Sequence, residues 1–198
     1  MTSRNHVVIT GTGRAGTSFL VELLTHLGLD TGFDIDSVGN LKDKIGRAGL
    51  EHDIRNPNCP YIVKSPWFCD YAQPVIQQEN IKLEHIFIPI RELSAAAESR
   101  RFVTQTGSTA GGLWHTNSTE LGVQENILTM QIYKLMFAIS DSQVPITLIR
   151  YPKLTKDSQY LHRKLKPILG DMDFTQFSRV FDKVVNPEFV HSFNENDI

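Results

Sequence analysis

Cysteine is almost missing from this chain. Cys59 and Cys69 are the only two in 198 residues, and their spacing fits neither a metal-binding nor a redox pair. That excludes a disulfide-stapled scaffold and suits a reducing cytosol, so a cytoplasmic location is expected. An excess of one charge is missing too. The formal net charge is −2, which supplies no global field for nucleic acid or a membrane surface. Neither is expected as a partner, and any anion site must be local. No apolar run approaches a membrane span, and the polar opening Met1 to His6 is unlike a signal peptide. Repeats and low-complexity segments are absent. What remains is ordinary for a globular protein: 40% hydrophobic and 21% charged residues. The expectation is a single domain over residues 1–198, with a polar tail from about 186.

Against this background one stretch stands out: Gly11, Thr12, Gly13, Arg14, Ala15, Gly16, Thr17, Ser18. It follows the apolar run Val7, Val8, Ile9 and opens a segment with Phe19, Leu20, Leu23, Leu24 and Leu27 at helical spacing. Strand, glycine-rich turn and helix in that order make a phosphate cradle. Successive backbone N–H groups point at one anion, and the helix N terminus adds partial positive charge. Here too an absence is informative. The nucleotide-triphosphatase pattern, G-x-x-x-x-G-K-S/T, needs a Lys where this chain has Thr17, and the cation sits earlier, as Arg14. None of the expected strands ends in Asp, so no carboxylate is placed to hold magnesium. A metal-free anion site is expected.

Further along, the pattern predicts strands over 6–10, 61–64, 85–90 and 145–149. It predicts helices over 17–27, 71–78, 93–101, 120–141, 154–169 and 174–184, with a short one at 41–48. Strands alternating with helices imply parallel crossovers and a three-layer α/β/α fold around a central parallel sheet, a P-loop nucleotide-binding architecture. Lys64 and Arg91 then stand at the carboxyl ends of strands, the edge where such sheets bind ligands. Ser99 lies eight residues beyond Arg91, about 12 Å along a helix, so the pair can hold a second phosphate remote from the first. Glycine-rich segments 29–58 and 104–118 have the character of substrate-contacting loops. They carry Glu51, His52, Asp53, Trp114 and His115.

Several segments resemble the sulfotransferases that use 3′-phosphoadenosine 5′-phosphosulfate. Gly13 to Ser18 is similar to their 5′-phosphosulfate loop, in which a Lys or Arg and a Ser or Thr precede Gly, Thr and a further hydroxyl residue. Arg91 to Ser99 is similar to their 3′-phosphate motif. Lys64, Ser65, Pro66, Trp67, Phe68 resembles a run in carbohydrate-modifying members, and Arg150, Tyr151, Pro152 resembles a late strand end. Ala15 stands where the loop has Ser or Thr, and the late R-K-G motif of cytosolic members has no counterpart. The resemblance implies metal-independent sulfuryl transfer to a hydroxyl or amine of a small-molecule or carbohydrate acceptor. It implies that Gly13, Arg14, Ala15, Gly16, Thr17 and Ser18 hold the 5′-phosphosulfate and that Arg91 and Ser99 hold the 3′-phosphate. Arg14 and Lys64 would act on the transferring group, and His115 and Glu51 are the candidates for the base. A kinase-like phosphotransferase and an inactive nucleotide-binding homologue are the alternatives. Neither the acceptor nor the oligomeric state is legible.

Overall fold

Alternation along the first strand decides how the layers form. The computed structural model describes residues 3–190 and 193. In chain order its elements are β1 Arg4–Ile9, α1 Thr17–His26, β2 Ile62–Lys64, α2 Phe68–Ile76, β3 Ile81–Ile90, α3 Leu93–Gln105, α4 Val123–Ile139, β4 Ile146–Arg150, α5 Lys153–Lys156, α6 Ser158–Leu169 and α7 Phe174–Val184. Successive strand side chains leave on opposite faces. Val7 and Ile9 pack with Leu20 and Leu24 of α1, Leu161 and Leu165 of α6, and Phe177 and Phe181 of α7. Val8 joins Val63, Ile86 and Ile88 against Phe68, Ala72 and Val75 of α2 and Leu135 and Ile139 of α4. The result is α/β/α, with a four-stranded parallel sheet in the order β2-β1-β3-β4.

That order locates the ligand-binding edge. The chain steps from β1 out to β2, then crosses back over β1 to β3 and continues to β4. Right-handed crossovers put α1 on one face and α2 and α4 on the other. The reversal leaves a crevice beyond the carboxyl ends of β1 and β3, where open parallel sheets bind ligands. The glycine turn follows β1 and Arg91 follows β3, so both open into this crevice. Pro89 fits inside β3 for the same reason. Phe87 bonds toward β1, accepting from the Thr10 N–H at 3.0 Å, and Pro89 shares that direction by parity. By then β1 has become the turn, so the missing N–H costs no ladder bond.

Several boundaries differ from the pattern. β3 begins four residues early, because Ile81 and Leu83 are buried beside β1. α2 starts at Phe68, which Pro66 and the buried Phe68 ring bring into the core ahead of Tyr71. No helix forms over 41–48. A short 3-10 turn covers Val38–Leu41, and Asp43 then takes the Ile45 and Gly46 N–H groups on its own side chain, a local bond that competes with helix. The helix expected over 154–169 is two, α5 and α6. Asp157 leaves helical geometry and caps the second through the Tyr160 N–H. Leu121, inside the span 120–141 predicted for this helix, precedes α4 and is 80% exposed. Residues 187–189, read as polar tail, form a 3-10 turn. Beyond Val190, Phe193 alone is among the described residues, and the other tail positions lie outside them. No helix among them is long and apolar enough to cross a membrane.

Candidate functional site

The glycine turn works because two positions tolerate no side chain. Gly11 has φ +136°, and a Cβ there would stand 3.0 Å from the Pro89 carbonyl. Gly16 has φ +84°, with Leu154 at 3.0 Å. Gly16 is also the N-cap of α1 and offers no capping side chain. The first-turn N–H groups, which have no partner within any helix, therefore open toward a cleft that Gly16, Thr17 and Ser18 line. Arg14, in the middle of the turn, has φ +55°. That conformation costs a non-glycine residue of the order of 1 kcal/mol and recurs at functional sites.

Two distant residues meet this turn. Arg91 donates from Nη1 to the Arg14 carbonyl at 3.3 Å. Arg14 donates from Nε to Ser99 Oγ at 3.0 Å and from Nη1 to the Gly46 carbonyl. Arg91 also stacks on Tyr151, 4.7 Å from the ring centre, and on Phe193 at 5.2 Å. Arg14, Arg91, Ser99, Lys64 and Glu51 all line one cleft of about 460 Å³, a size usual for small-molecule sites. Burial first, then the charge of Arg91, brings the Arg14 guanidinium down to about 10.

Lys64, 3% exposed, uses all three of its donors. It reaches Ser18 Oγ at 2.8 Å, Glu51 Oε1 at 2.7 Å and the Gly49 carbonyl. Burial lowers its pKa, against the opposing pull of Glu51. It therefore ties residues 49–51 to the start of α1. A second pair, Lys42 and Glu22, also lines the cleft. The strand ends thus present cations: Lys64 ends β2, Arg91 follows β3 and Arg150 ends β4.

The structure brings most of the expected residues together, with two exceptions. Ala15 is fully buried in the apolar cluster with Leu20 and Leu24, so only its backbone can serve the turn. This also explains alanine where a hydroxyl was expected. His115 is exposed, packs its ring on Trp114 at 5.6 Å, and is not among the cleft residues. Sequence reasoning missed Arg100, the Glu22–Lys42 pair and the closing segment Val185, Asn186, Phe189 and Val190. For Arg100 a signal existed. It lies four residues after Ala96 and three after Ala97, on the same helical stripe, and all three are buried.

No family model matches the chain, and no curated protein matches it by sequence. Among solved structures it is similar to a sulfotransferase domain from the Synechococcus PCC 7002 olefin synthase. The two are 15% identical, with a TM-score of 0.52, and the match covers 96% of this chain and 84% of that one. The fold is that of a sulfotransferase domain. At that identity the likeness speaks for architecture, and chemistry has to be argued from the site.

Proposed function

We propose that the protein is a sulfotransferase that moves a sulfuryl group from 3′-phosphoadenosine 5′-phosphosulfate to a hydroxyl or amine of a small-molecule or carbohydrate acceptor, without a metal. One observation carries the reading. Arg91 and Ser99, far along the chain from the glycine turn, both contact Arg14 at the mouth of an uncapped helix N terminus. Backbone amides at one end and a guanidinium–hydroxyl pair at the other suit a nucleotide with two separated phosphates.

The donor nucleotide fits these residues. The turn from Gly13 to Ser18 would hold its 5′ end, and Arg91 with Ser99 its 3′-phosphate. It supplies sulfur activated on a phosphate: the acceptor oxygen bonds to sulfur as the sulfur–phosphate oxygen bond breaks, and that electron pair stays on the phosphate. Arg14 places positive charge where the leaving phosphate gains negative charge, with no reorganisation needed at that moment. Glu51 takes the acceptor proton. It is a cleft carboxylate held within reach of the turn by Lys64, as general base catalysis requires. Lys64 positions Glu51 and screens the anion.

The test is thermal. Adenosine 3′,5′-bisphosphate at about 100 times its Kd should add about 2.7 kcal/mol, a rise in Tm of roughly 5–10 °C for a domain of this size, with no metal added. Magnesium-ATP should give much less. Arg91→Ala should weaken the bisphosphate while leaving adenosine 5′-monophosphate almost unaffected. Equal shifts from the bisphosphate and magnesium-ATP would overturn the reading.

A further inference from the structure

Two neighbouring arginines on α3 are treated in opposite ways. Arg101, 4% exposed, is matched by carboxylates: Nε donates to Glu98 and Nη2 to Glu125, each at 2.8 Å. Arg100 is 2% exposed and has no carboxylate within ion-pair distance among the described residues. Its Nη2 donates to the Thr12 carbonyl. Its Nε and Nη1 have no acceptor among the described residues. Burial, then the charge of Arg14, brings it down to about 10, so it is cationic at neutral pH.

The surroundings repeat the pattern. The guanidinium carbon of Arg100 lies 5.0 Å from the ring centre of Trp114. The Trp114 Nε1–H is likewise buried without an acceptor among the described residues. Trp67 lies 6.1 Å from Trp114 with the rings tilted by 31°. All three side chains line the cleft. A buried cation with orphaned donors destabilises the fold unless something repairs it, because unpaired buried donors and charges are expensive. Methionine would fill this place more stably. The shortage is of acceptor oxygens, and an oxyanion supplies them.

We infer that Arg100, with the indoles of Trp67 and Trp114, forms a subsite for an oxyanion on the acceptor: a carboxylate, phosphate or sulfate ester attached to a ring that lies against the indoles. Only the word acceptor rests on the proposed function. The donor's two phosphates are already assigned to the helix N terminus with Arg14 and to Arg91 with Ser99. Arg100 instead grips Thr12, on the strand side of the turn. Trp67 lies three residues past Lys64, which holds Glu51, so the indole platform is on the side of the proton acceptor. Aromatic faces supply apolar area and a fixed geometry for a ring, and the guanidinium suits bidentate contact with an oxyanion.

Trp67 and Trp114 are the only tryptophans in the chain, so intrinsic fluorescence reports on this subsite alone. The probes are methyl β-D-glucuronide, glucose 6-phosphate and glucose 6-sulfate, each titrated against neutral methyl β-D-glucoside, with and without saturating adenosine 3′,5′-bisphosphate. At least one charged sugar should bind at least tenfold tighter than the glucoside, and the one that does identifies the oxyanion. Arg100→Met should abolish that preference, Arg100→Lys should keep part of it, and bisphosphate affinity should be unchanged in both. Trp114→Phe should weaken the charged probe more than the glucoside. Equal binding of all four sugars, no fluorescence response to any, or a preference that survives in Arg100→Met would overturn the inference. Should the methionine variant misfold, the lysine variant decides: full retention of the preference with a lowered Tm would mean that Arg100 merely braces Thr12. A bisphosphate that fails to bind undoes the donor assignment and leaves the sugar preference to be judged by the series without it.

Discussion

The cleft holds two kinds of buried or half-buried cation. Lys64 and Lys42 each have a carboxylate partner, Glu51 and Glu22. Arg14 and Arg100 bond only to carbonyls and a hydroxyl. The lysines are matched by the chain itself, so they contribute shape and order. The arginines are matched by nothing that carries negative charge within ion-pair distance among the described residues, so their positive charge remains available to a ligand. Losing a paired lysine should therefore cost stability, and losing an arginine should cost binding.

The largest expected effect is on Arg14. Arg14→Ala should reduce affinity for adenosine 3′,5′-bisphosphate by about 100-fold, near 2.8 kcal/mol, while Tm without ligand stays level or rises. Isothermal titration and calorimetry measure the two separately. Next comes Lys64→Met, which strands Glu51. Breaking a buried pair costs about 3–5 kcal/mol, but Glu51 is 23% exposed on its side chain and water offsets part of that. A loss of about 2 kcal/mol, or roughly 4–8 °C in Tm, is expected. If Arg14→Ala lowers the ligand-free Tm as far as Lys64→Met does, the two classes are one.

The difference also explains what was legible. The glycine turn and Arg91 sit at strand ends and a helix start, and Ser99 lies inside the regular helix α3, where local rules of periodicity and dihedral preference hold. α7 matches its predicted span, Phe174–Val184, because its apolar stripe is regular and Asp173 caps it. The ion pairs were not legible, because Lys42 meets Glu22 and Lys64 meets Glu51 through loops whose paths follow from packing. Segment 29–58 is anchored by single contacts, such as Asp43 Oδ1 accepting from Ser108 Oγ at 3.0 Å, and no periodicity announces these. His115 was a candidate for the base, but it is exposed on the loop and is not among the cleft residues. Arg100 stands beside Arg101 at the end of the predicted helix over 93–101, and only its spacing from Ala96 and Ala97 marked it for burial.

Gly46 offers a finer way to separate the walls of the cleft. A Cβ there would collide with the Ala110 carbonyl, so Gly46→Ala must push segment 43–49 away from segment 104–118. Overpacking of this kind costs about 1–3 kcal/mol. Gly46 also accepts from Arg14, but the clash itself falls on segment 104–118, which carries Trp114, so the variant should change sugar binding near Trp114 more than it changes bisphosphate affinity. A larger loss in the bisphosphate titration would mean that the two walls move as one.

The smallest effect lies away from the cleft. Burial pulls His6 and His85 below the ordinary histidine value of 6.5. The unfolded chain then takes up protons near pH 6.5 that the folded chain resists, so in that range the unfolded state holds more of them. Stability rises with pH there: it is complete above 6.5 and is lost as pH falls through the lowered values. Glu125, held low by Arg101, and Asp43, held low by the Gly46 N–H, add a second loss in stronger acid, when pH falls through their depressed values. Acid unfolding should thus begin with histidines that line no part of the site. His85→Phe keeps the stack on Phe87, now 4.4 Å between ring centres, and removes one titrating group. Its Tm should fall less steeply than that of the parent between pH 7 and 5. An unchanged slope in calorimetry would shift the acid sensitivity away from His85 to other groups.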